Sequence, residues 1–352
     1  MVAWDRGATL ADRFRAHAGE EDHLYAHAMR GMAQDWEAGG VVREICAGHE
    51  EAPEGSALQL RLLAGVFRLV LTGAAPELVR FYPCLGGTEP PSGVWPVMRE
   101  VLEAYVETGR AALEIAPQTN EVGRSAALLI GLLDLVAASG VRRIRLLELG
   151  ASAGLNLLVD RFRITGDGWQ WGPADSGVQL EQAVVGEVRL EPVLITDRRG
   201  CDLSPIDAGT PEGRLLLTSF VWPFDLHRHA RLAGALAVVA QHPVTVDRAG
   251  AGPWLAEQLG RTEAGVLPVV WQSITQLYWP ASEVARVRAE LTAYGRQDPV
   301  GRVGLEYDPG GDPTALPELR IELWGPGQPP QERLLGTAHP HGVPVRLAAQ
   351  VQ

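Results

Sequence analysis

Residues 146–158, Leu-Leu-Glu-Leu-Gly-Ala-Ser-Ala-Gly-Leu-Asn-Leu-Leu, constrain the fold of this chain more than any other segment. An apolar run carries a carboxylate, Glu148, near its end, turns through small residues at 150–154, and restarts with apolar residues at helical spacing. That order is the pattern of a buried parallel strand, a tight turn and a helix whose N-terminus faces a ligand. Gly150 lets the backbone turn without a Cβ clash. Gly154 lets the following element approach both sheet and ligand closely.

The rest of the composition narrows what such a turn can serve. At 352 residues the chain has room for one large domain or two ordinary ones, and 46% apolar with 21% charged residues is a globular balance. A formal charge of −12 makes nucleic acid a poor partner, because binding phosphates needs clustered cations. All 31 basic residues are arginines, so Schiff-base chemistry, a Walker A loop and a Ser-Lys dyad lack their lysine. Residues 126–138 are interrupted by Asp134, so no membrane span is expected. Residues 1–6 show no basic region followed by an apolar core, and Cys46, Cys84 and Cys201 fit neither a disulfide framework nor metal-ligand spacing. A cytoplasmic protein acting on a small molecule, without metal, membrane or nucleic acid, is the expectation.

Residues 1–140 read as a helical domain. Leu60, Leu63, Ala64, Phe67 and Leu71 recur at helical spacing up to a stop near Gly73. A second helix is predicted over about 96–115, with Pro96 in its first turn and Gly109 as a weak point. A third starts at Thr119 or Asn120 and ends at Gly140. From 141 to 352 strands and helices alternate, which implies a parallel sheet with helices on both faces. Strands are predicted at 144–149, 201–205, 244–247 and 266–273, and helices at 226–240 and 282–294. Three β-like segments, 303–307, 319–324 and 334–347, close the chain.

On the run 146–158 and on Gly200-Cys201-Asp202-Leu203-Ser204-Pro205, the chain resembles class I S-adenosylmethionine (SAM) methyltransferases. Over nearly its full length it also resembles a bacterial domain family of unknown function with a core of that type. The matching segments are Thr119-Asn120-Glu121-Val122-Gly123-Arg124, the same turn, 199–205, Val221-Trp222-Pro223 and His341-Gly342. The resemblance implies a Rossmann-like doubly wound α/β domain under a helical cap, with the acceptor held between the two. It implies SAM as cofactor, with Glu148, Gly150, Ser152, Gly154 and Asn156 around it, Asp202 on the ribose hydroxyls and Asp247 beside the adenine. Ser152 stands where such turns carry their middle glycine. Glu148 and Asp202 are more than twice the roughly 20 residues apart of an ordinary nucleotide-binding βαβ unit, so residues 169–186 must fold out as a loop or hairpin.

Other roles compete for these residues. Glu148 can cap a loop, Asp202 can form an Asx-turn before Pro205, and Asp247 can be a turn residue. Gly150-x-Ser152-x-Gly154 is also the pattern of a hydrolase nucleophile elbow, with Asp308 or Asp312 and His339 or His341 following in the required order. A third possibility is a ligand-binding protein without catalysis. Outside the turn, Asn120, Glu121 and Arg124 precede the first strand; Glu121 is the candidate base, and Arg124, three residues on, can share its face. Tyr82, Trp222 and His341, in loops, are candidate substrate contacts. His227 and His229, at i and i+2, cannot share a helical face and make no metal pair.

Overall fold

A computed structural model of the chain describes residues 9–118, 120–261, 263–312 and 314–348. The amino-terminal residues 1–6 and Thr119, both read above, lie outside them. The chain divides into two compact units, Met1–Thr119 with Pro211–His229, and Asn120–Thr210 with Ala230–Gln352. The sequence reading drew its line at residue 140. In the structure the helix Ser125–Ser139 packs on strands of the second unit and groups with them.

The first unit is helical. Leu24–Glu37, Leu58–Leu71 and Val94–Ala104 bury Tyr25, Met29, Met32, Leu62, Phe67 and Met98 in one core. The helix predicted over 96–115 is two helices, Val94–Ala104 and Val106–Leu113, interrupted at Tyr105 and not at Gly109. The Tyr105 hydroxyl donates to Ala74 O at 3.1 Å, whereas Gly109 leaves room for the Ile45 side chain.

The second unit holds one eleven-stranded sheet. Its strands in chain order are β1 (Arg143–Leu149), β2 (Arg163–Gly166), β3 (Trp169–Trp171), β4 (Gln179–Val185), β5 (Leu194–Asp202), β6 (Val246–Arg248), β7 (Leu267–Ser273), β8 (Val300–Glu306), β9 (Glu318–Gly325), β10 (Gln328–Ala338) and β11 (Val345–Leu347). They lie side by side as β3-β2-β4-β11-β10-β9-β8-β7-β1-β5-β6. The run β6-β5-β1-β7-β8 is parallel throughout, and β9 and β10 continue it as an antiparallel meander. Numbered by their order in the chain, those five parallel strands lie as 3-2-1-4-5. Chain progress therefore reverses between β1 and β7, which makes the sheet Rossmann-like with its switch point beside β1.

Alternation along β1 assigns its two faces. Leu147 and Leu149 pack with Trp254 and Leu255 of the helix Ala251–Leu259. Glu148 faces the other way, as does Val303 of β8, against which Gly131 of Ser125–Ser139 packs without room for a Cβ. The stretch Val122–Ser139 has the length and apolarity to cross a membrane, but 78% of it is buried inside the protein. A helix apolar on every side belongs in a core.

Of two expectations about the first crossover, one turns out differently and one is met in part. After Gly154 the chain forms a 3-10 segment, Leu155–Arg161, kinked at Leu158, and not an α-helix. Arg198 donates to Leu157 O at 2.9 Å and pairs with Asp160, so that carbonyl, which an α-helix would use for its own ladder, is bonded to a guanidinium. Residues 169–186, which had to fold out as a loop or hairpin, do so in part: β2 and β3 form a hairpin, and β4 with them extends the far edge of the sheet.

Candidate functional site

The turn after β1 is built from left-handed backbone. Gly150 and Gly154 have φ of +70°, and Ser152, which has a Cβ, has φ of +53°. Non-glycine residues take this conformation only when their surroundings fix it. Here the Ser152 N–H donates to Asp202 Oδ2 at 2.8 Å, and Ser152 O accepts from Ile206 N at 3.1 Å. Asp202 Oδ1 accepts from Ser204 N at 2.8 Å, so the Asx-turn and the turn anchor are one carboxylate. Gly150 is needed for space as well, because a Cβ there would collide with the Thr275 side chain.

Glu148 lies directly opposite Trp271 of β7 and is 4% exposed. Burial, above all, pushes its carboxyl up to about 8 from an ordinary 4.5. Asn156 within hydrogen-bond reach opposes the rise, the Asp202 charge adds to it, and the Arg124 guanidinium and Trp271 oppose it again. Ser125 Oγ donates to Asn156 Oδ1 at 2.7 Å, which leaves the Asn156 amide nitrogen for Glu148. Among the described residues, three buried polar atoms around this turn have no hydrogen-bond partner: Glu148 Oε2, Ser152 Oγ and Asn120 Oδ1. Such atoms are rare in folded proteins and each costs about 1–3 kcal/mol, so their gathering at one place marks a site where something else supplies the bonds.

The residues before β1 are divided in their roles. Asn120 caps no helix; its Nδ2 donates to Ala151 O at 2.9 Å, inside the turn. Glu121 accepts from Gly123 N at 2.9 Å, pairs with Arg231 at 3.2 Å, and caps the short 3-10 segment Val122–Arg124. Arg124 donates to Pro340 O at 3.0 Å and Ser273 O at 3.1 Å, and its charge acts on Glu148, Tyr278 and Tyr307. His341 presents its backbone carbonyl to Gly123, and its N–H donates to His339 Nδ1 at 3.1 Å.

Asp247 does not share this neighbourhood of unpaired atoms. Its oxygens accept from Arg199 at 2.6 and 2.8 Å and from Trp254 Nε1 at 2.7 Å, and Arg199 holds its carboxyl below the ordinary value. Tyr82 and Trp222 belong to the helical unit. Tyr82 is fully buried 5.1 Å from the Phe67 ring, and Trp222 packs against His23, Tyr25 and Phe224.

Reading the sequence missed the far side of the turn. Glu306, at the end of β8, accepts from Thr275 N at 3.1 Å, Gln276 N at 3.4 Å and Gln272 Nε2 at 3.3 Å. Burial raises its carboxyl, and those donors partly offset the rise. The signal was available: like Glu148, Glu306 is an acid closing an apolar strand. Trp271 and Thr275 carried no such signal.

No curated protein and no solved structure matches the chain. The model of the DUF2332 family, described as an uncharacterized protein conserved in bacteria, matches residues 8–346. Matched over nearly its whole length, the chain belongs to this bacterial family, DUF2332.

Proposed function

We propose that the carboxyl end of β1 binds S-adenosylmethionine and that the protein transfers a methyl group from it to a small molecule. One observation carries the reading: the unpartnered buried atoms of Glu148, Ser152 and Asn120 gather where a 3-2-1-4-5 sheet changes direction, the place where open α/β sheets hold ligands. The bound sulfonium supplies an electrophilic methyl group. Glu148, Ser152 and Asp202 are the side chains that would hold the cofactor, with Gly150 and Gly154 giving it backbone access. Asp202 retains lone pairs beyond those used by Ser152 and Ser204. With its carboxyl pushed up to about 8, Glu148 is largely protonated at neutral pH and can donate a hydrogen bond to a ligand as well as accept one. Asp247 is omitted from the set because Arg199 and Trp254 occupy it. Glu121, paired with Arg231, serves better to position residues 120–124 than to take a proton. Methyl transfer asks mostly for in-line positioning, so a missing base is no obstacle.

Calorimetry with SAM and S-adenosylhomocysteine tests this. Both should bind the wild type, and Glu148→Ala should weaken them by roughly tenfold or more, the scale of one lost charge-assisted hydrogen bond. No binding by the wild type sinks the reading, and binding without turnover across a metabolite panel selects a non-catalytic ligand-binding protein.

The positive φ and unpartnered Oγ of Ser152 favour a second reading, a serine hydrolase elbow. Against it, no histidine hydrogen-bonds to Ser152 Oγ among the described residues, and no α-helix follows the turn. Labelling of Ser152 by a fluorophosphonate, lost in Ser152→Ala, would select it.

A further inference from the structure

We propose that the loop from Ile274 to Tyr278 is the specificity element of this site, with Glu306 as its positioning residue and with Tyr278 and Leu203 as contacts for a flat apolar group of the ligand. The proposal rests on ligand binding at the β1 turn, though not on which cofactor binds there.

Among the described residues, the two most exposed large apolar side chains are Leu203, at 74%, and Tyr278, at 68%. Single exposed apolar residues are ordinary and need no explanation. These two are placed alike. Leu203 directly follows β5, and Tyr278 follows β7 by one short loop, and β5 and β7 are the strands that pair with β1 on either side. They bracket the turn that carries the unpartnered polar atoms. Leu277, 45% exposed, adds to the apolar surface beside Tyr278. A ligand held by polar atoms within the turn would meet apolar surface at its rim, which is the usual division of labour in small-molecule sites.

The loop bearing Tyr278 is held in place. Ile274 has φ of +49°, a conformation that a β-branched residue rarely adopts and that persists only when neighbours impose it. Ile274 N–H donates to Leu305 O at 2.8 Å. The next two amides, of Thr275 and Gln276, both donate to the Glu306 carboxylate. Thr275 in turn fills the space beside Gly150. Glu306, Thr275 and Gly150 thus form a line of contacts from the end of β8 to the ligand turn, and the 3-10 turn Gln276–Tyr278 stands on it. A carboxylate suits this position because both its oxygens accept the Thr275 N–H, at 3.1 and 3.2 Å. A glutamine would have one acceptor and would set its own NH2 against a donor.

The test uses the full chain, with 2-naphthol as the flat apolar probe and S-adenosylhomocysteine beside it. Tyr278→Ala should weaken naphthol binding roughly tenfold, the scale of a lost aromatic contact, and Leu203→Ala by roughly threefold or more. In hydrogen–deuterium exchange of the unliganded protein, Glu306→Gln should speed exchange of the Thr275 and Gln276 amides roughly tenfold and should weaken naphthol as Tyr278→Ala does, with Glu306→Asp recovering part of the loss. Failure of naphthol to bind the wild type, binding indifferent to Tyr278→Ala, or unchanged exchange in Glu306→Gln overturns the proposal. Naphthol binding that depends on Tyr278 in a protein that ignores S-adenosylhomocysteine removes the cofactor reading and leaves the specificity loop standing.

Discussion

β1 buries one charged residue near each of its ends, and the two are treated differently. Arg145, 7% exposed, donates through Nε to Asp197 at 2.8 Å, through one terminal nitrogen to Gln258 Oε1 at 2.8 Å, and through the other to Gln258 O. Glu148, three residues on and on the opposite face, leaves Oε2 unbonded and has its carboxyl pushed up to about 8. A buried charge that serves the fold is given partners, because leaving it without them is costly. A buried carboxyl with an oxygen left unpartnered is retained for another reason, and ligand binding is one that fits its place at the switch point. The contrast extends along the sheet: both Asp247 oxygens have partners, as each Arg145 nitrogen has, whereas Ser152 Oγ is left over like Glu148 Oε2.

The comparison can be broken in four places. The largest effect belongs to pH. Glu148 in the folded state holds its proton up to about 8, while in the unfolded chain it releases it near 4.5. Between those values the folded state binds more protons, so stability falls as pH rises from about 4.5 to about 8, by on the order of 4 kcal/mol. Denaturant unfolding across that window should show a steeper fall in the wild type than in Glu148→Gln, in which other groups shifted by burial, Glu306 among them, still titrate. Next, Arg145→Ala should cost about 3 kcal/mol at neutral pH, since it strips partners from buried Gln258 groups. If Arg145→Ala and Glu148→Gln destabilise alike there, the contrast between the ends fails. Gly150→Ala should cost about 2 kcal/mol, from its positive φ and the clash with Thr275, and should abolish ligand binding measured by calorimetry. The smallest effect is expected from Tyr82→Phe in the helical unit. Its hydroxyl is buried without a partner, so unfolding should shift by less than about 0.5 kcal/mol or move toward greater stability.

Much of the chain was legible where neighbours in sequence decide the outcome. The strand at 144–149 and the helices at 226–240 and 282–294 correspond to observed elements within a residue or two, and the helix before β1 ends at Gly140, with φ of +71°, as expected, though it starts at Ser125 and not at 119 or 120. Apolar periodicity and capping glycines act within a few residues, so a sequence exposes them directly. The departures have long-range causes. Where a helix was expected after Gly154, a 3-10 segment forms, and the Leu157 carbonyl within it accepts from Arg198, 41 residues beyond. Asn120 bonds to Ala151, 31 residues away, where local spacing offered only a helix cap.

By itself the sequence determined that a strand bearing Glu148 runs into a glycine turn, because the apolar run and its small residues leave no other local solution. Tertiary structure alone decided which of the marked carboxylates keep capacity for a ligand. Both Asp247 oxygens are taken up by Arg199 and Trp254, and Glu148 Oε2 is left without a partner, because pairing depends on groups that only folding brings within about 3 Å.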